Sequence, residues 1–372
     1  MKKVAIVGAG ISGLVLASLL KKNDNYQITI FEKDLINNKN INGIQISPNA
    51  LRILNSLDFD RLDQTKFYSV KGINFFDIFE KEKIASMKFN YLNSNQYLTM
   101  NRSDLIDLLI KNYSLEKNII NKSVYEIIRN RVILKDKSDF EFDIIVVADG
   151  IFSKLRPAYV RPLYSGFCAY RGFFSNSVQE EYINLLMGKN FHLVTYPIDQ
   201  MKNNSFTLVL KTKKNPHKDN YNNVTKNFSE IFQDLLPERF KKVCICENIK
   251  SWPIYSLNKI FYGNDNTFFI GDSAHGFIPS RAQGAAQAIE DSFALYKIIS
   301  SKNLSIKRFS KLRIDRVKKI KKKSENNLFI FHQSLLINRL IRNFIIRIIC
   351  KYKFLTKKFN SSIFDYKIER NL

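Results

Sequence analysis

The sequence predicts an α/β protein in which a parallel-sheet, dinucleotide-binding domain is interleaved with a mixed β-sheet domain and followed by a helical C-terminus. Three observations predict this: a strand, glycine turn, helix and strand at the N-terminus, two later apolar strands that end in aspartate and glycine, and a basic helical pattern after residue 300. With 372 residues, 45% of them hydrophobic, the chain can bury a sizeable core and form two domains.

The first element is a glycine-rich turn between an apolar strand at residues 2–7 and a helix at 14–21. A second strand at 27–31 ends at Glu32, about 20 residues after the turn. In this context glycines let backbone N–H groups approach a pyrophosphate, and the acidic residue binds ribose hydroxyls. The unit therefore predicts a dinucleotide site that comprises Gly8, Gly10, Ile11, Ser12, Gly13, Glu32 and Lys33.

Two inserted segments show strand patterns. Residues 73–79 and 84–89 alternate in polarity around a turn at 80–83, which is typical of a hairpin. Further strands are expected near 168–174, 191–196 and 206–211, with a helix at 224–236 before Pro237. His192 and Tyr196 are four residues apart in a strand, so they share one face of the sheet. Such a pair can bind a ligand or simply pack in the core.

Two more strands are followed by residues that can bind a ligand. The apolar strand at 143–148 is followed by Asp149 and Gly150, and the strand near 268 is followed by Gly271 and Asp272. Open α/β sheets bind ligands at the carboxyl ends of their strands. Asp272 can accept hydrogen bonds from sugar-like hydroxyls, and the helix N-terminus at 284 stabilises an anion. A reduced flavin, which has a ribityl chain and an anionic ring, needs both.

The C-terminal region is helical and basic. Residues 316–323 read RVKKIKKK, and residues 334–350 form an amphipathic helix with Leu336, Leu340, Phe344 and Ile348 on one side. This helix could lie on an anionic membrane surface. The favoured interpretation is that it packs over the nucleotide-binding domain with its arginines outward.

At this point the motifs resemble a known family, the single-component FAD-dependent aromatic hydroxylases with the p-hydroxybenzoate hydroxylase fold, and especially their salicylate and 3-hydroxybenzoate branch. The motifs that carry the resemblance are VGAGISGL at 7–14, GIQISPNALRIL at 43–54, MNRSDLIDLL at 100–109, ADGIFSKLR at 148–156, HLVTYPI at 192–198, and GDSAH with AQGAAQAIED at 271–291.

The resemblance implies a Rossmann-like FAD-binding domain of the GR2 type and a role for each matching residue. Gly8, Gly10 and Gly13 would cradle the FAD pyrophosphate, Glu32 would hold the adenosine ribose, and Asp272 would bind the ribityl chain. Around the rest of FAD it implies Arg102, Asp149, Gly150, Pro279, Gln283, Gly284 and Ala285. His192 would accept a phenolic proton, and Tyr196 would orient the ring. Arg171 could meet a substrate carboxylate, although a surface arginine is favoured, and Arg281 is expected to point outward.

The implied activity is an NAD(P)H- and oxygen-dependent hydroxylation of a phenolic or aromatic-acid substrate through a flavin C4a-hydroperoxide. Two alternatives stay open: a membrane-associated ring hydroxylase of ubiquinone biosynthesis, and a flavoprotein oxidoreductase that inserts no oxygen. The expected domains are 1–68, 97–163 and 262–300 for FAD, 69–96 and 164–261 for the substrate, and 301–372 for the C-terminal helices.

The chain is strongly basic, with 59 Lys and Arg against 34 Asp and Glu, a formal net charge of +25. Such a field attracts anions such as NAD(P)H, aromatic carboxylates or acidic membranes. No nucleic-acid recognition motif accompanies the charge, and the histidines and cysteines show no metal-binding spacing. The N-terminus passes directly into the first strand without a signal peptide, so a cytoplasmic protein is expected, with peripheral contact to the inner membrane through 334–350 as an open alternative.

Overall fold

The computed structural model describes residues 1–34, 42–80, 82–92, 97–212, 232–246, 249–264, 266–301 and 304–371. In chain order, its strands are β1 (Lys2–Val7), β2 (Tyr26–Phe31), β3 (Gly43–Ile46), β4 (Phe67–Ser69), β5 (Gly72–Asp77), β6 (Lys83–Lys88), β7 (Leu98–Asn101), β8 (Ile119–Ile120), β9 (Val124–Ile128), β10 (Arg131–Leu134), β11 (Asp139–Glu141), β12 (Ile144–Val147), β13 (Pro162–Ser175), β14 (Ile183–Gly188), β15 (Phe191–Pro197), β16 (Asn203–Lys211), β17 (Lys250–Leu257), β18 (Gly263–Asn264) and β19 (Thr267–Phe269). Its α-helices are α1 (Ile11–Lys21), α2 (Pro48–Asn55), α3 (Arg102–Asn112), α4 (Asp272–His275), α5 (Gly284–Ile299), α6 (Ile306–Phe331), α7 (Leu336–Lys351) and α8 (Lys353–Phe364).

The first domain is built on a six-stranded sheet in the order β18-β19-β12-β1-β2-β8. All neighbouring pairs are parallel except β18 and β19. The apolar runs of β1 and β12 are buried because helices cover one face of the sheet and the β9–β11 region packs against the other, as parallel strands require. The Rossmann-like part of the predicted fold is confirmed.

The second domain is a mixed seven-stranded sheet in the order β17-β13-β16-β15-β14-β5-β6. The predicted hairpin is present as β5 and β6, which pair antiparallel, whereas β14 and β5 pair parallel. The three predicted strands of the second insert are present as β13, β15 and β16. Strands β14 and β17 were not predicted, and most of the helix expected at 224–236 lies outside the described residues.

The two sheets alternate along the chain, so the domains are interleaved. Strands β5 and β6 leave the first domain after β4, and β13 to β17 leave it after β12. Two smaller three-stranded sheets, β11-β10-β9 and β3-β7-β4, complete the β-structure of the described residues. The domain boundaries given above stay predictions.

The C-terminal helices confirm the helical end of the chain but correct the packing of α7. This helix packs against β6 at the edge of the seven-stranded sheet, not over the nucleotide-binding domain. Two of its arginines face inward rather than outward, since Arg339 and Arg342 both contact the buried carboxylate of Asp77. Within the described residues, no helix is both long and apolar enough to cross a bilayer.

Candidate active site

The carboxyl ends of three neighbouring parallel strands, β1, β12 and β19, define the site. Backbone hydrogen bonds join them there: the Ala148 N–H donates to the Val7 carbonyl at 2.7 Å, and the Ile270 N–H donates to the Val147 carbonyl at 3.0 Å. The turns that begin at Gly8, Asp149 and Gly271 therefore lie side by side. Residues far apart in sequence form one ligand-binding edge, as the strand order requires.

The glycines of the first turn have different physical roles. Gly8 has φ +108°, and an added Cβ would lie 2.5 Å from the Ala148 carbonyl oxygen. At Gly13 an added Cβ would lie 2.1 Å from the Gly8 carbonyl oxygen. At Gly10 the nearest atom is Nη2 of Arg102, at 3.7 Å. Gly8 and Gly13 are thus required by the fold, whereas Gly10 keeps a space open above the turn.

Glu32 fixes the outer side of this turn. Its Oε2 accepts a hydrogen bond from the Ala9 N–H at 2.7 Å, so the carboxylate lies at the end of β2 beside the glycines. Lys33, the next residue, has an exposed side chain. The structure therefore places Glu32 against the turn and Lys33 at its solvent side.

Two buried charged groups beside the turn have unused hydrogen-bonding capacity. Nε of Arg102 and Oδ1 of Asp149 are both buried without a partner among the described residues. Burial lowers the pKa of Arg102, opposed by the charges of Asp272 and Glu32. Burial raises the pKa of Asp149 to about 6, opposed by a hydrogen bond from Ser153. A cation and an acceptor are thus available to a polar ligand.

Replacing Asp149 with asparagine is expected to stabilise the ligand-free protein only at neutral to alkaline pH. A carboxyl with a raised pKa in the folded state contributes stability below its unfolded pKa and loses it as pH rises through about 6. Asp149→Asn should therefore gain up to about 3 kcal/mol near pH 8 and little near pH 4. Urea unfolding at the two pH values measures this, and equal effects at both would contradict it.

The loop that contains Asp272 is held by a buried ion network. Oδ2 of Asp291 accepts from the Gly271 N–H at 2.9 Å and lies 2.6 Å from Nε2 of His275. Nε of Arg313 donates to Oδ1 of the same carboxylate at 2.7 Å, and its Nη1 donates to Glu290 at 2.7 Å. His275 therefore has a structural partner, and the network anchors the short helix α4, whose first residue, Asp272, lines the cavity.

The N-terminus of α5 faces the same space. No side chain caps this helix, and an added Cβ at Gly284 would meet no atom within 4 Å. The side chain of Gln283 is buried and fixed: its amide donates to Ser47 Oγ at 2.9 Å and its oxygen accepts from Asn49 at 3.3 Å. Free backbone N–H groups at this end can stabilise an anion.

A cavity of about 1190 Å³ joins these features to the seven-stranded sheet. It exceeds the range of about 300–1,000 Å³ for ordinary small-molecule pockets, so it can hold a dinucleotide and a second ligand. The predicted site residues that line it are Gly10, Ile11, Ser12, Arg102, Gly150, His192, Tyr196, Asp272, Pro279, Gln283, Gly284 and Ala285. The predicted site residues that do not line it are Gly8, Gly13, Glu32, Lys33 and Asp149.

The far wall carries His192 and Tyr196 on one face of β15, as their spacing predicts. Nδ1 of His192 lies 2.8 Å from Nε2 of His332, at the C-terminal end of α6. Burial, then the neighbouring histidine, lowers the pKa of His192 well below its usual value, and burial lowers the pKa of His332 to about 4. Both rings are therefore neutral at neutral pH. Sequence reasoning missed His332 because no local motif links it to a strand 140 residues away.

Arg171 also belongs to this wall, so the expectation of a surface arginine is wrong. It lines the cavity from β13 with its guanidinium 5.4 Å from the Trp252 ring centroid, and its Nε has no hydrogen-bond partner among the described residues. Burial lowers its pKa, opposed by Tyr196. The sequence around Arg171 does not indicate this burial, because it depends on the pairing of β13 with β16 and β17.

Arg281 does not point outward as expected. Its guanidinium lies 4.9 Å from the Phe359 ring centroid, and Nη2 donates to Asn327 at 3.3 Å. The side chain therefore links the loop before α5 to the C-terminal helices, which the sequence could not place.

Comparisons with known proteins indicate which family the chain resembles. Residues 6–35 match a family model described as an NAD(P)-binding Rossmann-like domain, and residues 138–303 match one described as an FAD binding domain. The chain is 26% identical over 355 residues to 3-amino-4-hydroxybenzoate 2-monooxygenase PtmB3 of Streptomyces platensis, covering 89% of this chain and 88% of that one. It is 27% identical over 315 residues to 3-hydroxybenzoate 6-hydroxylase 1 of Aquipseudomonas alcaligenes, covering 78% and 79%.

The chain is similar to FAD-dependent aromatic monooxygenases along most of its length. The fold of this monooxygenase also matches a solved salicylate hydroxylase–substrate complex, with a TM-score of 0.78 at 17% identity over 100% of this chain and 97% of the other. FAD is its cofactor and NAD(P)H its co-substrate.

The residues of the monooxygenase fit FAD. The open space at Gly10 and the unpartnered Arg102 suit a pyrophosphate, since glycine admits close backbone approach and arginine binds phosphate. Asp272 suits the hydroxyls of the ribityl chain, and the uncapped start of α5 suits the ring edge that becomes anionic. This residue-by-residue assignment is a proposal.

Proposed function

We propose that this protein hydroxylates a phenolic or aromatic-acid substrate, using NAD(P)H and molecular oxygen. The observation that carries the proposal is that one cavity joins the FAD-binding turns to the His192–Tyr196 wall. The relatives at 26% and 27% identity are hydroxybenzoate hydroxylases by name, which supports an aromatic acid as substrate. When bound, FAD would supply the redox chemistry, since it can be reduced by NAD(P)H and can then activate molecular oxygen.

The protein's own residues bind and orient the ring and exclude water. Tyr196 is 4% exposed, and burial raises the pKa of its hydroxyl, so it stays protonated and can donate to a substrate oxygen. An added Cβ at Gly43 would lie 2.7 Å from that hydroxyl, so the backbone there closes around the site. Apolar side chains form the rest of this wall and include Phe75, Leu185, Val194 and Val209.

The His192–His332 pair is arranged to remove a phenolic proton. A neutral His192 can accept the proton at Nε2 while its Nδ1 proton passes to Nε2 of His332. His332, which is only partly buried, then releases its own Nδ1 proton, so neither ring carries a lasting charge. An ionised phenol is a stronger nucleophile toward oxygen.

His192→Ala is expected to lower the hydroxylation rate about a hundredfold or more while the protein stays FAD-loaded, because a general base contributes about 10²–10⁴-fold. His332→Ala should give a smaller loss in the same direction. Stopped-flow and steady-state assays with an ordinary phenol measure both. A phenol that is already ionised at the assay pH should restore most of the rate, and failure to do so would contradict proton removal by this pair.

Arg171 is the residue we assign to a substrate carboxylate. Arg171→Leu should raise KM for a hydroxybenzoate about 10–100-fold, since a charged hydrogen bond contributes about 1.5–3 kcal/mol. KM for the matching phenol without a carboxylate should change little, and that phenol is the control. Arg171→Lys should recover part of the loss. An equal effect on both substrates would show that Arg171 serves FAD or the fold instead.

A screen of the purified protein tests the function itself. We expect a yellow protein whose NADH or NADPH consumption is stimulated by one class of phenols or benzoates. The mass of the product decides between mechanisms, because hydroxylation adds one oxygen atom. Substrate oxidation without this gain would favour a flavoprotein oxidoreductase.

A membrane-associated ubiquinone-ring hydroxylase is not favoured by the relatives, which act by name on small aromatic acids. Peripheral membrane contact through 334–350 is a separate proposal, because it concerns where the enzyme works rather than which ring it hydroxylates. The exposed apolar side chains of α7 favour it.

A further inference from the structure

Helix α7 is amphipathic, but its buried residues are polar and many of its apolar side chains face solvent. Its buried residues are Arg342 and Asn343, both of which contact Asp77 at the end of β5, at 2.5 Å and 3.0 Å. Nε of Arg339 donates to the same carboxylate at 3.2 Å, and Asn343 also donates to Glu80 at 2.7 Å. Asp77 is fully buried. Polar contacts to a paired buried charge therefore fix the middle of this helix, while Ile346, Ile349 and Cys350 pack against a core cluster.

Much of the apolar side of α7 is consequently left uncovered. Leu336, Leu340 and Phe344, spaced four residues apart on one stripe, are 63%, 52% and 62% exposed. We name the whole surface the apolar helix face; its exposed members are Leu336, Ile337, Leu340, Ile341, Phe344 and Ile345. An exposed apolar face of this kind on a soluble fold marks an interaction surface.

Basic residues adjoin the apolar helix face. Where α7 meets α8, the exposed lysines are Lys351, Lys353, Lys357 and Lys358, and they alternate with the exposed aromatic residues Tyr352, Phe354 and Phe359. Lysines combined with large apolar and aromatic side chains are typical of a surface that enters the headgroup region of an anionic bilayer.

We propose that the apolar helix face, with this lysine rim, docks the enzyme on an anionic membrane surface. A second copy of the chain would cover the apolar side chains but would bring two lysine rims and two formal charges of +25 together. An anionic bilayer accepts both parts of the surface. The proposal goes beyond the reaction, since it sets the place where the enzyme meets its substrate.

The surface also borders the active-site cavity. Ile341 and Ile345 belong to the apolar helix face and line the cavity as well, together with Ile349 and Phe359. Docking would therefore hold this side of the cavity against the bilayer, where apolar aromatic compounds concentrate.

Vesicle flotation of the full-length, FAD-loaded protein tests the proposal. The probes are phosphatidylcholine vesicles with and without phosphatidylglycerol. The docking variant is Leu336→Glu/Leu340→Glu/Phe344→Glu, because these three residues do not line the cavity. The matched control places three glutamates at exposed apolar residues elsewhere: Tyr125→Glu/Val178→Glu/Ile245→Glu.

We expect wild type and the control to float with anionic vesicles only, and the docking variant to stay at the bottom. Binding should weaken about fivefold for each rim lysine changed to glutamine.

The docking variant should keep wild-type turnover of a water-soluble phenol, so a failed hydroxylase assay in both proteins refutes the proposed function without touching this result. Wild type that ignores anionic vesicles, or a docking variant that floats equally well, overturns the proposal. A wild-type dimer that the three glutamates dissociate, without vesicle binding, assigns the face to a second copy.

Discussion

Gly10→Val is expected to give a folded but colourless protein. At this position an added Cβ meets no protein atom closer than Arg102 Nη2, at 3.7 Å, so the ligand-free fold has room for the new side chain. The valine methyl groups would instead occupy the space where the pyrophosphate must approach the backbone. We expect FAD affinity to fall below detection while the circular dichroism spectrum and the cooperativity of unfolding stay those of the ligand-free wild type.

Gly13→Val supplies the contrast on the same turn. An added Cβ there would lie 2.1 Å from the Gly8 carbonyl oxygen and 3.2 Å from the Ile6 side chain, so the turn itself must deform. This variant should lose FAD together with stability or soluble yield. A yellow Gly10→Val protein with normal FAD affinity would remove the glycine turn from the cofactor site and undermine the function built on it.

The difference between these two glycines shows what a local motif can predict. The strand, turn, helix and acidic residue at the N-terminus predict a dinucleotide site because all four lie within about 35 residues at defined spacings. The motif does not say which glycine serves the ligand and which serves the fold. That distinction depends on the folded backbone, in which an added Cβ at Gly13 would meet the Gly8 carbonyl oxygen, whereas at Gly10 the nearest atom comes from Arg102, far along the chain.

The substrate wall was harder to predict for the same reason. The alternation in β15 places His192 and Tyr196 on one face, and in the structure both line the cavity. The partner of His192 comes from the end of α6, and the burial of Arg171 comes from two flanking strands. These are long-range contacts with no periodic signal in the sequence.

Helix α7 shows a second limit of pattern analysis. Its amphipathic pattern is real, but a hydrophobic stripe predicts the buried face only if no other contact, such as one to a buried charge, fixes the orientation of the helix. Here Asp77 is already buried at the end of β5 and needs cationic partners, so the arginines turn inward. Leaving such a buried carboxylate without its cationic partners would cost about 3–5 kcal/mol.

Arg313→Leu is expected to cause a large loss of stability. Arg313 is fully buried on α6 and pairs with Glu290 and Asp291, both at 2.7 Å. Burial alone would raise the pKa of each carboxyl, but the neighbouring cations outweigh it and hold both pKa values below their usual range. Removing one partner of such a cluster costs about 3–5 kcal/mol, a large share of the roughly 5–15 kcal/mol of a folded domain.

The pH dependence of that loss separates charge from packing. In Arg313→Leu the buried carboxyls lose a counter-ion, so their folded pKa values rise relative to wild type, and the variant should recover stability as pH falls and they become protonated. Lys318→Leu, on the exposed side of the same helix, is the matched control and should change stability by about 0.5 kcal/mol or less. Thermal unfolding at neutral and mildly acidic pH measures both variants. Because Asp291 also accepts from the Gly271 N–H, Arg313→Leu should weaken FAD binding as well, which links the charge cluster of the C-terminal helix to the presentation of Asp272. A loss of stability that is the same at every pH would instead assign the effect to the shape of the arginine side chain.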